Sequence, residues 1–414
     1  MKKAACILAL TIMAACCLII YGASKDTVLK GEIVQLGAEI LNVQRTNLQT
    51  ESVKASEQEA VSTTDEKQEY EKEKQLLNQN GAYAFSTLTE KEKGLYIDIL
   101  SALMKFEDTI DLATDSTQEI DKAFQCVLID HPDIFYVDGY KYTKYSVGDK
   151  INRITFSGNY TCSMQEAMKR KNIIEDAADE ILAGISKDAS DYEKVKYVYE
   201  TIINTTDYDL NVSDNQNICS VFLEHKSVCQ GYAKATQYLL MRLDVPATLV
   251  VGTVKNGEGH AWNLVMIDDS YYYVDTTWGD AYYLLTHQQM QDAKQKTPSI
   301  NYDYLCVTTQ QIAETHTIDS VVPMPVCDSL AANYYVMEGA YFTSYDEEKL
   351  NLLFQKARSQ EKEAVTLKCS DHTVYETIMQ ELIEKQKVFH FVPELDGTVA
   401  YTNCEEQNSI SFWM

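Results

Sequence analysis

Basic residues are scarce in this sequence: 36 Lys and Arg stand against 62 Asp and Glu, a formal net charge of −26 over 414 residues. No run of Lys or Arg offsets that balance, so a phosphate backbone would be repelled, and nucleic acid is excluded as a partner. There is no CxxC pair and no cluster of His and Cys. A structural zinc site is therefore not expected, and neither is any other metal or cofactor. Cysteines are too sparse and irregular for a disulfide scaffold. Cys6, Cys16 and Cys17 lie near the N-terminus, and Cys126, Cys162, Cys219, Cys229, Cys306, Cys327, Cys369 and Cys404 are scattered through the body. That count leaves room for one or two bridges at most.

What is present is ample apolar material, 45% of the residues, enough for a folded body of about two to three domains. Met1-Lys2-Lys3 precedes an uncharged apolar stretch of 21 residues over 4–24, the layout of an export signal. The stretch exceeds the apolar core of an ordinary signal and is long enough to span a bilayer. Three fates fit it: a retained signal anchor with the body outside, cleavage beside Gly22-Ala23-Ser24, or lipoprotein processing at Met13-Ala14-Ala15-Cys16. Continuation through Leu18, Ile19 and Ile20 favours the first two. The body is then extracytoplasmic, membrane-anchored or secreted, and meets the membrane through this segment only.

Leu29, Ile33, Leu36, Ile40 and Val43 form a short helical stripe. The Glu-, Gln- and Lys-rich stretch from 49 to about 80 has few large apolar side chains, so 25–80 reads as a stalk and a disordered tether. Residues 81–160 read as an N-terminal α+β module, with helices over 95–106 and 117–129 and strands over 134–137, 140–142 and 151–156. A third unit occupies 161–310, and 311–414 forms a C-terminal α+β module in which 334–342 is strand-like.

The chemistry lies in the third unit. Ser227-Val228-Cys229-Gln230-Gly231-Tyr232-Ala233 leads into a good helix, placing Cys229 in its first turn. Open backbone N–H groups and the helix dipole there favour a thiolate and can also hold an oxyanion. Gly231 keeps that helix start slim enough for a substrate backbone. Gly257-Glu258-Gly259 turns the chain into His260-Ala261-Trp262, and an antiparallel hairpin follows over 262–276. With its turn at Asp269-Ser270, Asp275 lies opposite Leu264, on the face of His260 but four residues out of step. Twist or a bulge must close that gap. A thiol needs an imidazole to share its proton, and the imidazole needs an acceptor to fix its tautomer.

Three blocks, Val228-Cys229-Gln230-Gly231-Tyr232-Ala233, His260-Ala261-Trp262 and Val274-Asp275-Thr276-Thr277-Trp278, resemble those of the transglutaminase-like superfamily. The resemblance covers about residues 190–280 and extends to exported bacterial surface proteins of that superfamily. It implies an α+β, papain-like core with flanking α+β modules, and a triad of Cys229 as nucleophile, His260 as base and Asp275 as orienter. In the family a residue before the nucleophile often assists the oxyanion, a role open here to Gln216 or Asn217.

Blander roles compete with each of these. A free cysteine is more often core than nucleophile. His225 is a rival base with no carboxylate to orient it. Tyr271, Tyr272, Tyr273, Tyr282 and Tyr283 can line a cleft or merely fill a sheet, and Trp262 and Trp278 can wall the site or pack beneath it. Jointly the three blocks favour cysteine-dependent acyl transfer on a protein or peptide substrate, cell-wall peptide included. Hydrolysis is favoured over cross-linking, since water is the default acceptor in an open site. The competing function is a non-catalytic surface-binding protein that retains the enzyme fold.

Overall fold

The computed structural model describes residues 46–47, 64–79, 81–147, 150–283, 299–392 and 397–414. The expected export segment, 1–24, and the stalk stripe, 29–43, lie outside them. Among the described residues no helix is long and apolar enough to cross a membrane.

Part of the expected tether is ordered. Thr64–Gln79 is a helix built almost wholly from strong helix formers. Leu77 is buried, Tyr70 packs against the same core, and Lys74 reaches Glu90 at 2.5 Å. Two apolar anchors a helical repeat apart are enough to dock this otherwise charged segment.

The next unit pairs a sheet with two helices. Strands β1 (Thr46–Asn47), β2 (Ile110–Leu112), β3 (Val137–Val147) and β4 (Lys150–Tyr160) lie in the order β1-β3-β4-β2. Helix Glu90–Lys105 starts with a capping box between Thr89 and Glu92, and Ser116 caps Thr117–Asp130. Ile134 to Tyr136 fall in the turn after that helix, so the strand begins later than its apolar run suggests. Buried Asp130 accepts the Ala84 and Phe85 N–H groups at 2.9 and 2.8 Å.

This module is not separate from the third unit. One continuous core runs from Leu77 through Phe85, Phe124 and Tyr232 to Ala340. The short parallel pair β5 (Asp207–Tyr208) and β6 (Lys226–Ser227) precedes helix Cys229–Arg242. That helix lies on an antiparallel sheet of β7 (Ala247–Val254), β8 (Gly259–Ile267), β9 (Ser270–Val274), β10 (Leu305–Val307) and β11 (His316–Ile318), ordered β10-β9-β8-β7-β11. Along β8, Ala261 and Val265 join the large core, whereas Trp262 and Leu264 join a smaller one with Tyr273 and Tyr304.

Two boundaries differ from the sequence expectation. β11 pairs with β7, so the sheet of the third unit continues past residue 310. A second hydrophobic core starts at Phe342, where β12 (Tyr341–Phe342), β13 (Ala364–Cys369), β14 (Tyr401–Cys404) and β15 (Ser409–Trp413) form a sheet ordered β12-β13-β15-β14. The stretch expected as strand over 334–342 begins as helix Tyr334–Met337, because the Asn333 side chain caps the Tyr335 N–H. A buried ion pair, Lys368 to Asp303 at 3.0 Å, joins the terminal module to the third unit.

Candidate active site

Cys229 is half-buried in the first turn of its helix. Val228 at the N-cap brings no side-chain acceptor, so the first-turn N–H groups stay open toward the thiol and anything bound to it. Gly231 is required for a different reason than substrate access. A methyl group there would lie 1.8 Å from Ser227 Oγ and 2.9 Å from the Asn215 carbonyl. Ser227 Oγ is itself tied to Asn215 O at 2.9 Å. Gly231→Ala should therefore cost about 1–3 kcal/mol of stability by overpacking, read as a lower denaturation midpoint; an unchanged midpoint would show that the helix start yields freely.

Three hydrogen bonds brace this helix against its surroundings. Gln237 Nε2 donates to the Ile129 carbonyl at 2.8 Å, tying the helix to the N-terminal module. Asn263 Nδ2 donates to Ala233 O at 3.0 Å, and the Thr236 and Thr276 hydroxyls meet at 3.1 Å. The last two fix the helix relative to the strands that carry His260 and Asp275.

The hairpin register halves the four-residue stagger to two. Asp268 and Asp269 form the turn, with φ of 47° and 61°, the paired positive values that suit the twist of a hairpin. Ile267 pairs with Ser270 and Leu264 with Tyr273, two residues away from the sequence expectation. By extension of that register Asp275, just past β9, comes level with Trp262, two residues from His260, and the side chains span the rest. His260 Nε2 lies 2.8 Å from Asp275 Oδ2. Cys229 acts on the same ring and helps to raise its pKa, and with Nε2 engaged by Asp275 it is Nδ1 that is left for the thiol. Cys229, His260 and Asp275 are thus brought together.

Asp275 is fully buried and accepts four N–H groups. Its Oδ1 takes those of Thr277 at 2.9 Å and Trp278 at 3.1 Å, capping the short helix Thr276–Gly279. Its Oδ2 takes His260 and a residue the sequence did not single out, His316, whose Nε2 lies 3.1 Å away. His316 was missed because it sits beyond the expected boundary of the unit. The usable signal was its place in a β-branched run, Thr315-His316-Thr317-Ile318. Gly252 pairs with both His260 and Ile318, so β11 puts His316 on the His260 face of the sheet.

Burial alone would lower the His260 pKa. The Asp275 charge and hydrogen bond outweigh it, with Cys229 adding to them, and hold it up at about 10. Burial would raise Asp275, but the charges and hydrogen bonds of His260 and His316 take it well below the usual carboxylate range. A histidine raised in this way stabilises the fold below its unfolded value of about 6.5 and loses that contribution as pH climbs through 10. The depressed Asp275 contributes above its unfolded value of about 3.9 and loses its contribution as pH falls through its folded one. Any reaction that needs the His260 proton should hold to about pH 10 and decline above it. An alkaline midpoint near 7 in turnover against pH would contradict the Asp275 grip.

The surroundings separate the remaining candidates. Trp262 is wholly buried beneath His260, ring centroids 5.9 Å apart, whereas half-buried Trp278 flanks it at 6.1 Å. Of the candidate tyrosines, Tyr272 and Tyr273 are core. Tyr283 stands by the site with Tyr208, ring centroids 5.5 Å apart, and both hydroxyls feel the Cys229 charge. His225 is exposed and ends the helix Ile218–Glu224 in a left-handed cap. Asn217 caps that helix through Cys219 N at 2.9 Å. Gln216 lies beside the Asn215 carbonyl, which the Val228 N–H reaches at 3.3 Å. All eight body cysteines are free, and burial pushes Cys126, Cys219 and Cys369 up to about 12.

Among the described residues, His260, Asp275 and His316 also offer three donor atoms within 4.8 Å of one another. Their 2.8 and 3.1 Å separations are those of hydrogen bonds, each with a proton between the atoms. A cavity of about 500 Å³ opens from Trp278 and Tyr283 and runs past Tyr302 to Asn403 and Ser409 of the terminal module. A larger one, about 590 Å³, lies between Tyr334 and Trp413, and neither cavity is lined by Cys229, His260 or Asp275.

A helix-start cysteine set against an antiparallel sheet that carries histidine and aspartate defines a papain-like α+β core. Residues 176–276 match the family model of the transglutaminase-like superfamily, so the chain carries a transglutaminase-like domain. The matched span holds Cys229, His260 and Asp275 and ends before His316. No curated protein matches the chain. Similar solved structures include a TGase, 16% identical over 39% of this chain and 56% of that one, TM-score 0.26. A proposed cysteine protease from Cytophaga hutchinsonii is 14% identical over 33% of this chain and 61% of its own, TM-score 0.23. The periplasmic domain of TgpA from Pseudomonas aeruginosa, bound to ethylmercury, is 16% identical over 31% and 57%, TM-score 0.21. The chain spans less than two thirds of each of these structures.

Proposed function

We propose that this protein is an extracytoplasmic cysteine-dependent hydrolase of peptide or side-chain amides that works through a Cys229 thioester. The observation that carries the reading is His260 held between Cys229 and Asp275, with its Nε2 2.8 Å from the carboxylate. The Cys229 thiolate attacks the amide carbonyl carbon, and the oxyanion is stabilised by the open N–H groups of the helix start. His260 passes its Nδ1 proton to the departing amine, the C–N bond breaks, and a thioester remains on Sγ. Water then attacks that thioester, His260 takes a proton from it, and the carboxylic acid leaves as the thiol is restored.

The apolar stretch at 4–24 after two lysines supports action outside the cytoplasm. Water as acceptor is supported by the half-exposed position of Cys229, which leaves a thioester there open to solvent. Incubation with a glutamine-containing peptide, with and without an added primary amine, tests the acceptor. Released ammonia or cleaved peptide should dominate in both cases. Amine incorporation displacing hydrolysis would identify a cross-linking transferase instead.

A further inference from the structure

We propose that His316 is a positioning residue of the Cys229–His260–Asp275 site, sharing Asp275 Oδ2 with His260 and so setting how firmly the carboxylate grips the imidazolium. This rests on the catalytic reading above and adds to it a residue outside the three blocks. Its Nε2 is 3.1 Å from that oxygen, and its Nδ1 is 2.8 Å from Thr315 Oγ1. The two bonds assign the tautomer: the ionised Asp275 can only accept, so Nε2–H donates to it and Nδ1 accepts from the Thr315 hydroxyl.

Packing alone does not require a histidine here. The ring is wholly buried among Trp262, Trp278 and Tyr304, at centroid separations of 4.9, 4.8 and 5.8 Å, a setting that an apolar side chain would also fill. The polar atoms of His316 serve two partners, Thr315 and Asp275. A carboxylate oxygen that accepts a second N–H has less charge left for His260. His260 is then the stronger acid, better able to protonate a departing amine. The titratable groups facing this cluster are Cys229, Asp275, His260, Tyr199 and Tyr304, with Tyr208, Tyr283 and Glu258 at the rim. Burial keeps the hydroxyls of Tyr199 and Tyr304 neutral throughout.

The test compares His316→Leu, which removes the donor, with His316→Gln, which retains an N–H, in the full chain. With a peptide amide, His316→Leu should lower kcat about tenfold at unchanged KM and move the alkaline limb of turnover upward. Iodoacetamide labelling of Cys229, which needs no general acid, should stay within about twofold of wild type. His316→Gln should recover most of kcat and return the limb. If His316→Leu fails to fold, Thr315→Val, which frees the tautomer, should show the same split between turnover and labelling. Unchanged kcat and limb, or turnover and labelling falling together in both His316 variants, would overturn the proposal. Turnover that survives Cys229→Ala would instead overturn the catalytic reading beneath it.

Discussion

Cys229→Ala should leave a folded protein whose turnover of peptide amides falls by roughly 10⁵-fold or more, to the level of the uncatalysed reaction. The size follows from the chemistry, since without Sγ there is no thioester and the other two residues have nothing to activate. Folding should be untouched, because Cys229 is half-buried and alanine suits the first turn of a helix. Thermal unfolding and turnover are the paired measurements. The same variant separates the enzyme from a surface-binding protein that retains the fold, since a binder would keep its ligand and its biological effect.

Asp275→Asn should be nearly as damaging, and for a reason visible in the hydrogen bonds. Asp275 accepts two backbone N–H groups on Oδ1 and two imidazole N–H groups on Oδ2. An asparagine has one acceptor oxygen. Whichever way its amide is turned, one pair of donors meets an NH₂. If the NH₂ faces the imidazoles, His260 Nε2 must become an acceptor and its proton moves to Nδ1, where it can no longer receive one from the thiol. A loss in kcat of about 10⁴ is expected for a triad held in the wrong tautomer. If the oxygen faces the imidazoles, the cap on Thr276–Gly279 is lost and stability drops by about 0.5–2 kcal/mol. Kinetics and denaturation together tell the two orientations apart, and a variant with wild-type kcat would remove Asp275 from the mechanism.

Much of the site was legible because its chemistry is local. A helix start is written in consecutive residues, and Cys229 falls where the break before Gly231 and the apolar positions after it put it. Face parity placed His260 and Asp275 together, since a slip of two residues leaves every side chain on its own face. The slip itself came from the turn. Asp268-Asp269-Ser270 offers two adjacent pairs, and only the backbone shows that both positive φ values fall on the aspartates.

What stayed hidden is non-local. His316 arrives on an edge strand far along the chain, paired with β7, and nothing in the spacing of residues 260 to 316 announces that pairing. The helix at Tyr334–Met337 carries a tyrosine-rich, strand-like sequence overruled by the Asn333 cap and the buried places of Tyr334 and Tyr335. Thr64–Gln79 looked too polar to fold, and on its own it would be; Tyr70 and Leu77 order it by docking on a core made elsewhere.

The most direct measurement is the acyl adduct itself. Mixing the full-length protein with a peptide thioester, quenching in acid and mapping the modified peptide should give one adduct, on Cys229, that is absent from Cys229→Ala. Among the described residues, Cys162 and Cys404 are the other cysteines with exposed surface and serve as internal controls. An adduct spread evenly over Cys162, Cys229 and Cys404, or none on Cys229, would contradict the nucleophile on which the mechanism depends.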